Sequence, residues 1–475
     1  MSDELPQGWE FALLREIAGI NPRHPKGLND AMPVTFVPMA ALSVSKPDFQ
    51  FTEERPLGEV RKGFTHFAEC DVLFAKITPC MENGKGAVAR GLRNKLGCGT
   101  TELHVVRPLA DISPEYIYRF LAQDRVRRAA KENFTGTAGQ ARVPTSFIEQ
   151  LEMPLAPLAE QRRIVAKLEK LLGRVDACQQ RLAKIPVLLK RFRQAVLAAA
   201  CSGRLTADWR EDAAPKDLIS PQPANPDEIC EVEETLEAAE PWRWLPLQAL
   251  CDPDRSICYG VIKLGVEVPD GIPCLRTSDV KPLLIDTMDV KRIAPAISDE
   301  YRRTLLCGSE ILVNVRGTLG GVAVVPDSLR GWNISREVAL VPVKSVIPKF
   351  IAFWIASLPC QNWLTGVAKG VAYTGINIAD LKLLPVAFPS LPEQLEIVRR
   401  VEGLFALADE IEARLGAAQR QVDALTPSLL ARAFAGRLVP QDPNDEPASA
   451  LLERIRCERP QQADAARKPK AVRRR

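Results

Sequence analysis

The feature that most constrains the fold of this chain is a segment that occurs twice at a fixed distance. Leu-Ala-Glu-Gln at 158–161 returns as Leu-Pro-Glu-Gln at 391–394, and Ser-Gly-Arg-Leu at 202–205 returns as Ala-Gly-Arg-Leu at 435–438. Both pairs are 233 residues apart (393 − 160 and 436 − 203), so the intervening segments align without a gap. The duplication predicts two similar halves related by an approximate two-fold axis, an arrangement that suits a ligand with two half-sites, such as duplex DNA.

The duplicated segments are predicted to be long helices. Their apolar residues are spaced alternately four and three apart, which is typical of a coiled-coil seam. The seam of the first copy consists of Ile164, Leu168, Leu171, Val175, Cys178, Leu182, Ile185, Leu189, Phe192 and Val196. The seam of the second copy consists of Ile397, Val401, Leu404, Ala408, Ile411, Leu415, Ala418, Val422, Leu425 and Leu429. Because one amphipathic helix cannot bury its own stripe, we expect the two copies to pair antiparallel.

Each copy also carries the residues that begin, end and interrupt helices. An acidic residue stands at the start, a glycine at the end and a proline inside: Glu160, Gly203 and Pro186 in the first copy, and Glu393, Gly436 and Pro427 in the second. A carboxylate stabilises the positive end of the helix dipole, and glycine closes a last turn. Each proline is expected to kink or break its helix locally.

The regions outside the helices mix short β-rich runs, turns marked by Gly and Pro, and short helices. We therefore predict an α+β fold in which two mixed α/β domains are separated by two long antiparallel coiled-coil helices, as a pseudo-two-fold internal repeat. The predicted segments are a first domain at 1–157, a helical spacer at 158–205, an acidic Pro-rich linker at 206–241, a second domain at 242–389, a second spacer at 390–439 and a basic tail at 440–475. The two helical segments are more similar in sequence than the two domains are. This suggests a constant helical framework that carries two variable domains, each recognising its own part of a ligand.

Charge is distributed unevenly along the chain, although the net charge is only +4. Residues 160–205 contain eleven basic and three acidic residues, whereas residues 208–240 contain two basic and eleven acidic ones. Residues 453–475 contain nine basic and three acidic residues. The whole segment 440–475 is predicted to be a short helix at most, followed by a disordered basic tail. A basic helix between two domains is compatible with a surface that follows phosphates.

Composition argues against a membrane protein and against a metal site. No apolar run approaches the ~20 residues that span a bilayer, and the N-terminus is acidic, so we expect a soluble, cytoplasmic protein. Twelve cysteines include no Cys-x-x-Cys pair and there are only three histidines, so the cysteines are expected to be reduced and structural, with no metal bound.

Several catalytic signatures are missing from the sequence. There is no Gly-x-x-x-x-Gly-Lys-Ser/Thr loop for nucleotide phosphates, and no Gly-x-Gly-x-x-Gly cradle for a dinucleotide or adenosyl cofactor. The Asn/Asp-Pro-Pro-aromatic loop of amino-methylating enzymes and the hydrolase and metalloprotease motifs are also absent. We therefore expect no catalytic residues and no cofactor in this chain, although scattered acids leave a paired-carboxylate nuclease open.

Polar side chains in the loops of both domains are the candidates for contacts with DNA. Arg and Lys can pair with guanine, Asn with adenine, and Thr or Tyr can contact a thymine methyl or a phosphate. The candidates in the first domain are Lys76, Thr78, Asn83, Lys85 and Arg90. Those in the second domain are Arg276, Thr277, Ser278, Asp279, Arg316, Thr318, Arg336, Lys369, Tyr373, Thr374 and Asn377.

The duplicated motifs resemble the two conserved regions of type I restriction–modification specificity subunits. The resemblance rests on 157–165 and 391–398, on 193–205 and on 435–438, with further similarity at 71–76 and 311–316. It covers about residues 5 to 440 and leaves out the basic tail and the acidic linker.

The resemblance implies that each domain is a target-recognition domain that reads one half of a bipartite, asymmetric DNA sequence, while the helices fix the unread gap. It implies a non-catalytic subunit that binds double-stranded DNA, two methyltransferase subunits that bring S-adenosylmethionine, and two ATP-driven restriction subunits that need Mg. Two alternatives remain open from the residues alone: a coiled-coil adaptor with no DNA role, and a self-contained DNA-modifying enzyme with an unrecognised site.

Overall fold

The computed structural model describes residues 5–44, 46–136, 141–220, 238–240, 242–367 and 375–465. The chain divides into two compact units. Unit 1 consists of Met1–Leu182 and Ala417–Arg475, and unit 2 consists of Ala183–Gly416. Each unit therefore contains one domain and one part of each duplicated helical segment.

The domain of unit 1 is built from short strands and helices. Its strands are β1 (Glu10–Leu13), β2 (Ala18–Ile20), β3 (Pro33–Val37), β4 (Glu53–Pro56), β5 (Thr65–Ala68), β6 (Val72–Ala75), β7 (Gly86–Val88), β8 (Leu96–Gly99), β9 (Leu103–Pro108) and β10 (Glu152–Leu155). Its helices are α1 (Leu14–Ile17), α2 (Leu57–Val60), α3 (Pro114–Leu121), α4 (Asp124–Glu132) and α5 (Thr145–Gln150). The long helix α6 (Leu158–Leu182) follows directly after β10.

This domain has three layers around β6. One sheet has the strand order β2-β9-β6-β7 and the other β4-β3-β8-β5, with β3 and β8 parallel. All four residues of β6 are buried, because Val72 and Phe74 pack with the helices while Leu73 and Ala75 pack toward the second sheet. An uninterrupted apolar run of this kind is typical of a strand covered on both faces.

Unit 2 repeats this construction with shorter strands. Its strands are β11 (Arg243–Pro246), β12 (Cys258–Tyr259), β13 (Ile272–Leu275), β14 (Val280–Lys281), β15 (Leu284–Ile285), β16 (Arg292–Ile293), β17 (Ile311–Asn314), β18 (Val322–Val324), β19 (Asn333–Ile334), β20 (Val338–Val341) and β21 (Pro385–Phe388). Its helices are α7 (Ile185–Cys201), α8 (Ala207–Asp212), α9 (Pro295–Glu300), α10 (Pro348–Ala356), α11 (Leu358–Val367) and α12 (Ile378–Lys382). Helix α13 (Leu391–Phe434) continues from unit 2 into unit 1, and α14 (Ala448–Ala465) belongs to unit 1.

The two domains share most of their topology; among the described strands, the pairing of β5 with β8 occurs only in the first domain and the β14–β15 pair only in the second. The order β12-β20-β17-β18 matches β2-β9-β6-β7, and the parallel pair β13 and β19 matches β3 and β8. Antiparallel pairing of Glu10 with Leu155 returns, 233 residues on, as pairing of Arg243 with Phe388. The prediction of a mixed helix-and-sheet fold with two similar halves is therefore confirmed. The domains are more alike than the faint resemblance between their sequences suggested.

The helices run antiparallel within each unit. In unit 1, Leu168 shares a core with Leu430, and farther along the pair Gln179 Nε2 donates to Asp423 Oδ1 at 2.9 Å. In unit 2, Arg193 Nη2 donates to Asp409 at 2.5 Å, while Arg400 near the start of α13 donates to the carbonyl of Leu205 at 2.8 Å.

The predicted seam is buried most consistently near the domains. Buried seam residues are Ile164, Leu168, Val175, Leu189, Val196, Ile397, Val401, Ala408 and Leu415. Partly buried ones are Leu171, Leu182, Ile185, Phe192, Leu404, Ala418, Val422 and Leu429. Cys178, Ile411 and Leu425 are exposed, and polar contacts such as that of Gln179 occur in this stretch. The apolar seam of a coiled coil is buried along its whole length. The prediction of one apolar seam along both copies is therefore wrong at these three exposed residues.

The helix-end predictions were right for the glycines and for one of the two prolines. Gly203 and Gly436 adopt positive φ angles of 77° and 64°, which L residues rarely adopt. Pro186 lies in the first turn of α7, and α6 ends before it, so the first copy is broken as expected. Pro427 lies inside the continuous helix α13 and does not break it.

Two segments differ from their prediction as linker and tail. The beginning of the supposed linker is ordered, because Thr206 is buried and α8 follows it; residues 221–237 lie outside the described residues. The supposed tail forms α14, whose Leu451, Leu452 and Ile455 are buried in the core of unit 1. Their spacing places them on one face of a helix, and burial of that apolar face stabilises the helix although the segment is basic as a whole. Residues 466–475, which end in three arginines, lie outside the described residues.

Candidate nucleic-acid interface

In the first domain, the end of β6 brings polar groups together from four parts of the chain. Lys76 follows β6, and its backbone pairs with Glu102 before β9 and with Val143 before α5. Asn21, which follows β2, donates from Nδ2 to His104 Nδ1 at 3.2 Å and accepts from the backbone of Val105 at 2.9 Å. The sheet pairing therefore concentrates side chains that are distant in sequence at one edge.

An ion pair and a neutral imidazole set the electrostatics of this edge. Arg142 donates to Glu102 through two bonds of 2.8 and 2.9 Å, and that hydrogen bonding lowers the pKa of the Glu102 carboxyl. Burial lowers the pKa of His104, so its imidazole is neutral at pH 7. Lys76 lies near both groups and adds the positive charge of this edge.

The other candidates of the first domain are engaged in internal contacts or are simply exposed. Thr78 donates its hydroxyl to Glu82, and Lys85 Nζ donates to the carbonyl of Met39 at 3.2 Å. Arg90 is ion-paired with Glu115, whose carboxylate raises the pKa of the guanidinium. Asn83 is exposed. Of the five, Lys76 is the one that the structure places at the strand-end edge.

In the second domain, Arg316 occupies the corresponding edge. It lies two residues after β17, and its guanidinium carbon is 5.0 Å from the centre of the Tyr259 ring. The Tyr259 hydroxyl donates to the carbonyl of Ile376 at 3.1 Å and accepts from the backbone of Ile378 at 3.1 Å. Arg316 thus stacks on an aromatic platform that β12 and α12 hold in place, with its charge exposed.

The remaining candidates of the second domain are more scattered. Thr277 is partly buried close to Gly317, and Thr318 is exposed on the same loop as Arg316. Arg276 and Ser278 both donate to the buried Asp279, at 3.2 and 2.7 Å, and Arg336 pairs with its neighbour Glu337. Asn377 is the N-cap of α12 and is exposed. Lys369, Tyr373 and Thr374 lie outside the described residues.

The two edges are equivalent in the shared topology but carry different chemistry. Isolated bridges join Ile77 with Arg142 in one domain and Arg316 with Gly375 in the other, at the same place relative to the sheet. The first domain presents Lys76 beside imidazole and amide groups, and the second presents Arg316 on Tyr259. Sequence reasoning missed Asn21, His104 and Tyr259, because only strand pairing brings them to the edge; a polar or aromatic residue at the end of a short strand was the available signal.

Each domain is attached to its helix by the same buried contact. Trp9 Nε1 donates to Glu160 at 2.9 Å, and Trp242 Nε1 donates to Glu393 at 2.9 Å. The following glutamines, Gln161 and Gln394, each accept a backbone N–H from the domain and donate to the carbonyl two residues before their helix. The repeated Glu-Gln motif is therefore a joint between domain and helix.

The described residues also lack a metal-binding cluster and a membrane-spanning helix. Within the described ranges, no group of three or more His, Cys, Asp or Glu side chains could hold a metal ion. No described helix is both long enough and apolar enough to cross a membrane.

Comparison with known proteins identifies the family. The family model of the type I restriction modification DNA specificity domain matches residues 6–187 and again residues 272–418. The type I restriction enzyme EcoAI specificity subunit of Escherichia coli is 40% identical over 477 residues, covering 86% of this chain and 79% of that protein. The EcoBI specificity subunit of the same species is 39% identical over 318 residues, covering 65% of this chain and 64%, less than two thirds, of that protein.

Solved structures share the fold. The HsdS subunit from Thermoanaerobacter tengcongensis superimposes with a TM-score of 0.60 and 20% identity, covering 91% of this chain and 98% of that one. A chain from a structural study of complex assembly and conformational transition in the type I R-M system gives a TM-score of 0.65 at 20% identity, covering 92% and 100%. Both similarities concern the fold. With the two family matches and the relative that is 40% identical, this chain belongs to the family of type I restriction–modification DNA specificity proteins.

Proposed function

We propose that this chain is the DNA specificity subunit of a type I restriction–modification complex, and that it is a non-catalytic component. Each domain reads one half of a bipartite, asymmetric DNA site. The helical segments hold the two readers at a fixed separation and dock the methyltransferase subunits. The relatives are named as specificity subunits, which supports this assignment.

One observation carries the proposal: the same four-stranded sheet order occurs in both domains with different side chains at the same sheet edge. Lys76 and Arg316 stand at corresponding strand ends, one beside His104 and the other stacked on Tyr259. Two copies of one scaffold with unlike polar edges suit two unlike half-sites, because base readout depends on side-chain donors and acceptors. The shared joints at Glu160 and Glu393 belong to the framework that would hold both readers in a fixed register.

The partners follow from this role. We propose double-stranded DNA, two methyltransferase subunits and two restriction subunits, one set for each half of the repeat. The methyltransferase subunits would bring S-adenosylmethionine, and the restriction subunits would bring ATP and Mg, so that this chain itself needs no cofactor. The pseudo-two-fold repeat of the helical segments supports two equivalent docking places.

Mapping methylated bases tests the proposal. The chain is expressed with a cognate methyltransferase subunit, and methylated positions in cellular DNA are read by sequencing. We expect a motif of two short specified sequences separated by a gap of constant length. Methylation at a single uninterrupted motif would contradict reading by two domains, and no motif from a complex shown to assemble would favour a scaffold without a DNA role.

The role of the helices in setting the gap is tested separately. One helical turn is removed from each of the paired segments, which changes their length by ~5.4 Å. Because base pairs are stacked ~3.4 Å apart, the gap is expected to shrink by one or two base pairs. A motif whose gap is unchanged in the shortened protein would contradict the spacer role while leaving the reading role of the domains intact.

A further inference from the structure

The first domain contains a polar cleft that sequence reasoning did not identify. The cleft has a volume of about 430 Å³ and lies beside the strand-end edge, between the turn after β2 and the segment that leads into β5. Its charged residues are Arg23 in the turn, Arg61 and Lys62 before β5, and Lys76 at the edge. No carboxylate side chain of the described residues lines it.

Three of these cations, Arg23, Lys62 and Lys76, form no ion pair in the described part of the chain. Arg23 and Lys62 are both exposed, and neither forms an ion pair or side-chain hydrogen bond among the described residues. Arg61 is more constrained, because it donates to the carbonyl of Leu28 at 2.6 Å and pairs with the exposed Asp30 at 3.1 Å. Arg61 is therefore the one cation of the cleft that is ion-paired among the described residues. Because Lys76 lies near the Glu102 carboxyl, Arg23 and Lys62 are the two cations that remain for a ligand.

The floor of the cleft has few acceptors to offer. His66 Nδ1 accepts from the backbone of His24 at 3.3 Å while Nε2 donates to the carbonyl of Arg61 at 2.8 Å. His104 is occupied in the same way, with Nδ1 accepting from Asn21 and Nε2 donating to the carbonyl of Val143. The Asn21 carbonyl oxygen accepts from Val105. In each imidazole the acceptor nitrogen is therefore already used within the domain.

Such a cleft favours a ligand that is anionic and consists of acceptors. The amino group of adenine or cytosine would need an acceptor, and the imidazole and amide acceptors here are satisfied internally. A guanine edge has only two acceptors, fewer than the cations around the cleft can serve. A phosphodiester accepts several charge-assisted hydrogen bonds from flexible cationic side chains, and such contacts position a protein on the duplex.

We propose that this cleft binds the sugar–phosphate backbone of the DNA beside the half-site read by the first domain, with Arg23 and Lys62 as the phosphate-contacting residues. The proposal rests on the proposed function and specifies where the first domain holds its ligand. Arg61, fixed by Leu28 and Asp30, positions the segment that carries Lys62. Lys76 links the cleft to the edge.

The test measures duplex binding by the assembled specificity–methyltransferase complex at several salt concentrations. Arg23→Ala and Lys62→Ala are each expected to weaken binding about tenfold, and to reduce the slope of log affinity against log salt by about one. The double variant is expected to lose about two units of slope. The methylated motif should stay the same, because a phosphate contact carries no base information.

Matched control variants distinguish the loss of contacts in the cleft from a general loss of positive charge on the domain. Arg128→Ala and Lys46→Ala remove an exposed arginine and an exposed lysine of the same domain that do not line the cleft, and both should keep the wild-type salt slope. Arg23→Lys should retain most of the affinity, because binding a phosphate depends more on the positive charge than on the planar donor geometry of the guanidinium. Thermal unfolding of each variant checks that its fold is intact.

Each outcome decides the matter. An unchanged salt slope in the double variant, in a complex whose wild-type form binds its duplex, would overturn the cleft proposal and leave the proposed function standing. A changed base at one position of the motif would also overturn it, because that would mean base reading. Equal losses of affinity and salt slope in the control variants would also overturn the proposal, because the effect would then come from positive charge anywhere on the domain. A wild-type complex with neither a motif nor duplex binding would overturn the proposed function itself.

Discussion

The two joints between domain and helix begin from the same residues and are completed in different ways. Glu160 and Glu393 are both buried, and each accepts from a tryptophan at 2.9 Å. Glu393 also accepts from Thr206 at 2.8 Å and from Arg210 at 2.5 Å, whereas the second carboxylate oxygen of Glu160 has no hydrogen-bond partner among the described residues.

The sequence explains this difference. At the duplication offset, Thr206 and Arg210 correspond to Val439 and Pro443, which cannot donate a side-chain hydrogen bond. Unit 1 instead packs α14 against its domain, with Leu451, Leu452 and Ile455 buried. One framework is thus secured by an ion pair in unit 2 and by an apolar helix in unit 1, which shows that the duplicated residues set the geometry while later segments supply the stabilisation.

The largest difference is expected when the two glutamates are replaced by glutamine. Glu393→Gln removes the charge that pairs with Arg210, whose side chain is only 15% exposed, so unit 2 should lose about 3–5 kcal/mol. Glu160→Gln removes an incompletely satisfied carboxylate and should cost unit 1 less than about 1 kcal/mol. Denaturant unfolding, followed by hydrogen exchange in each unit, measures both. Equal losses in the two variants would mean that Arg210 does not distinguish the joints.

A second prediction concerns the apolar helix of unit 1. Leu451→Ala should destabilise this unit by about 2–5 kcal/mol, because it leaves a cavity where a fully buried leucine packs beside α1. Glu453→Ala changes an exposed residue of the same helix and serves as the control, with an effect within about 0.5 kcal/mol. The readout is again hydrogen exchange in unit 1. Similar values for the two variants would show that α14 does not stabilise the domain.

Replacing the tryptophans by phenylalanine should reveal the same asymmetry on a smaller scale. Trp9→Phe removes the one hydrogen bond found for the Glu160 side chain in the described residues, and should cost about 1–3 kcal/mol. Trp242→Phe leaves Glu393 with Thr206 and Arg210, and should cost about 1 kcal/mol. Thermal unfolding of the two variants compares them. A larger loss for Trp242→Phe would contradict the account of the joints.

The smallest expected effect is a dependence on pH in unit 1. Burial raises the pKa of Glu160 above its ordinary value of 4.5, which the bond from Trp9 only partly offsets. The folded state therefore binds this proton more tightly than the unfolded state does, so this group opposes folding above the raised pKa. As pH falls from 7 toward 4.5, the wild-type unit should gain stability relative to Glu160→Gln, which does not titrate. A difference between the two proteins that stays constant with pH would contradict the raised pKa.

The sequence predicted those parts of the fold that depend on periodicity and duplication. The repeat placed both copies of the Glu-Gln motif correctly at helix starts, and the seam predicted the buried residues nearest the domains, such as Leu168 and Val401. The exposure of Ile411 and Leu425 was not predictable, because a heptad pattern does not say which of its positions a partner helix covers. The packing of α14 was not predicted either, because the basic composition of the segment favoured a disordered tail over an amphipathic helix.

The candidate edge was predictable only in part. Lys76 and Arg316 were predicted because they are basic residues in loops, and the structure places each of them just after a buried apolar strand. Asn21, His104 and Tyr259 reach the edge through strand pairing between distant segments, and register cannot be read from one sequence when strands are two to six residues long. The sequence shows that Arg90 and Arg276 are positively charged, but it does not show that they form ion pairs with Glu115 and Asp279.

The central claim is that one duplicated framework carries two independent readers. The most direct test replaces residues 1–157 by the corresponding domain of a relative with a different target, and maps methylated bases in cells that also express the methyltransferase subunit. The account predicts that one half of the motif changes, while the other half and the gap length stay as in the wild type. Changes in both halves, or a changed gap, would contradict it.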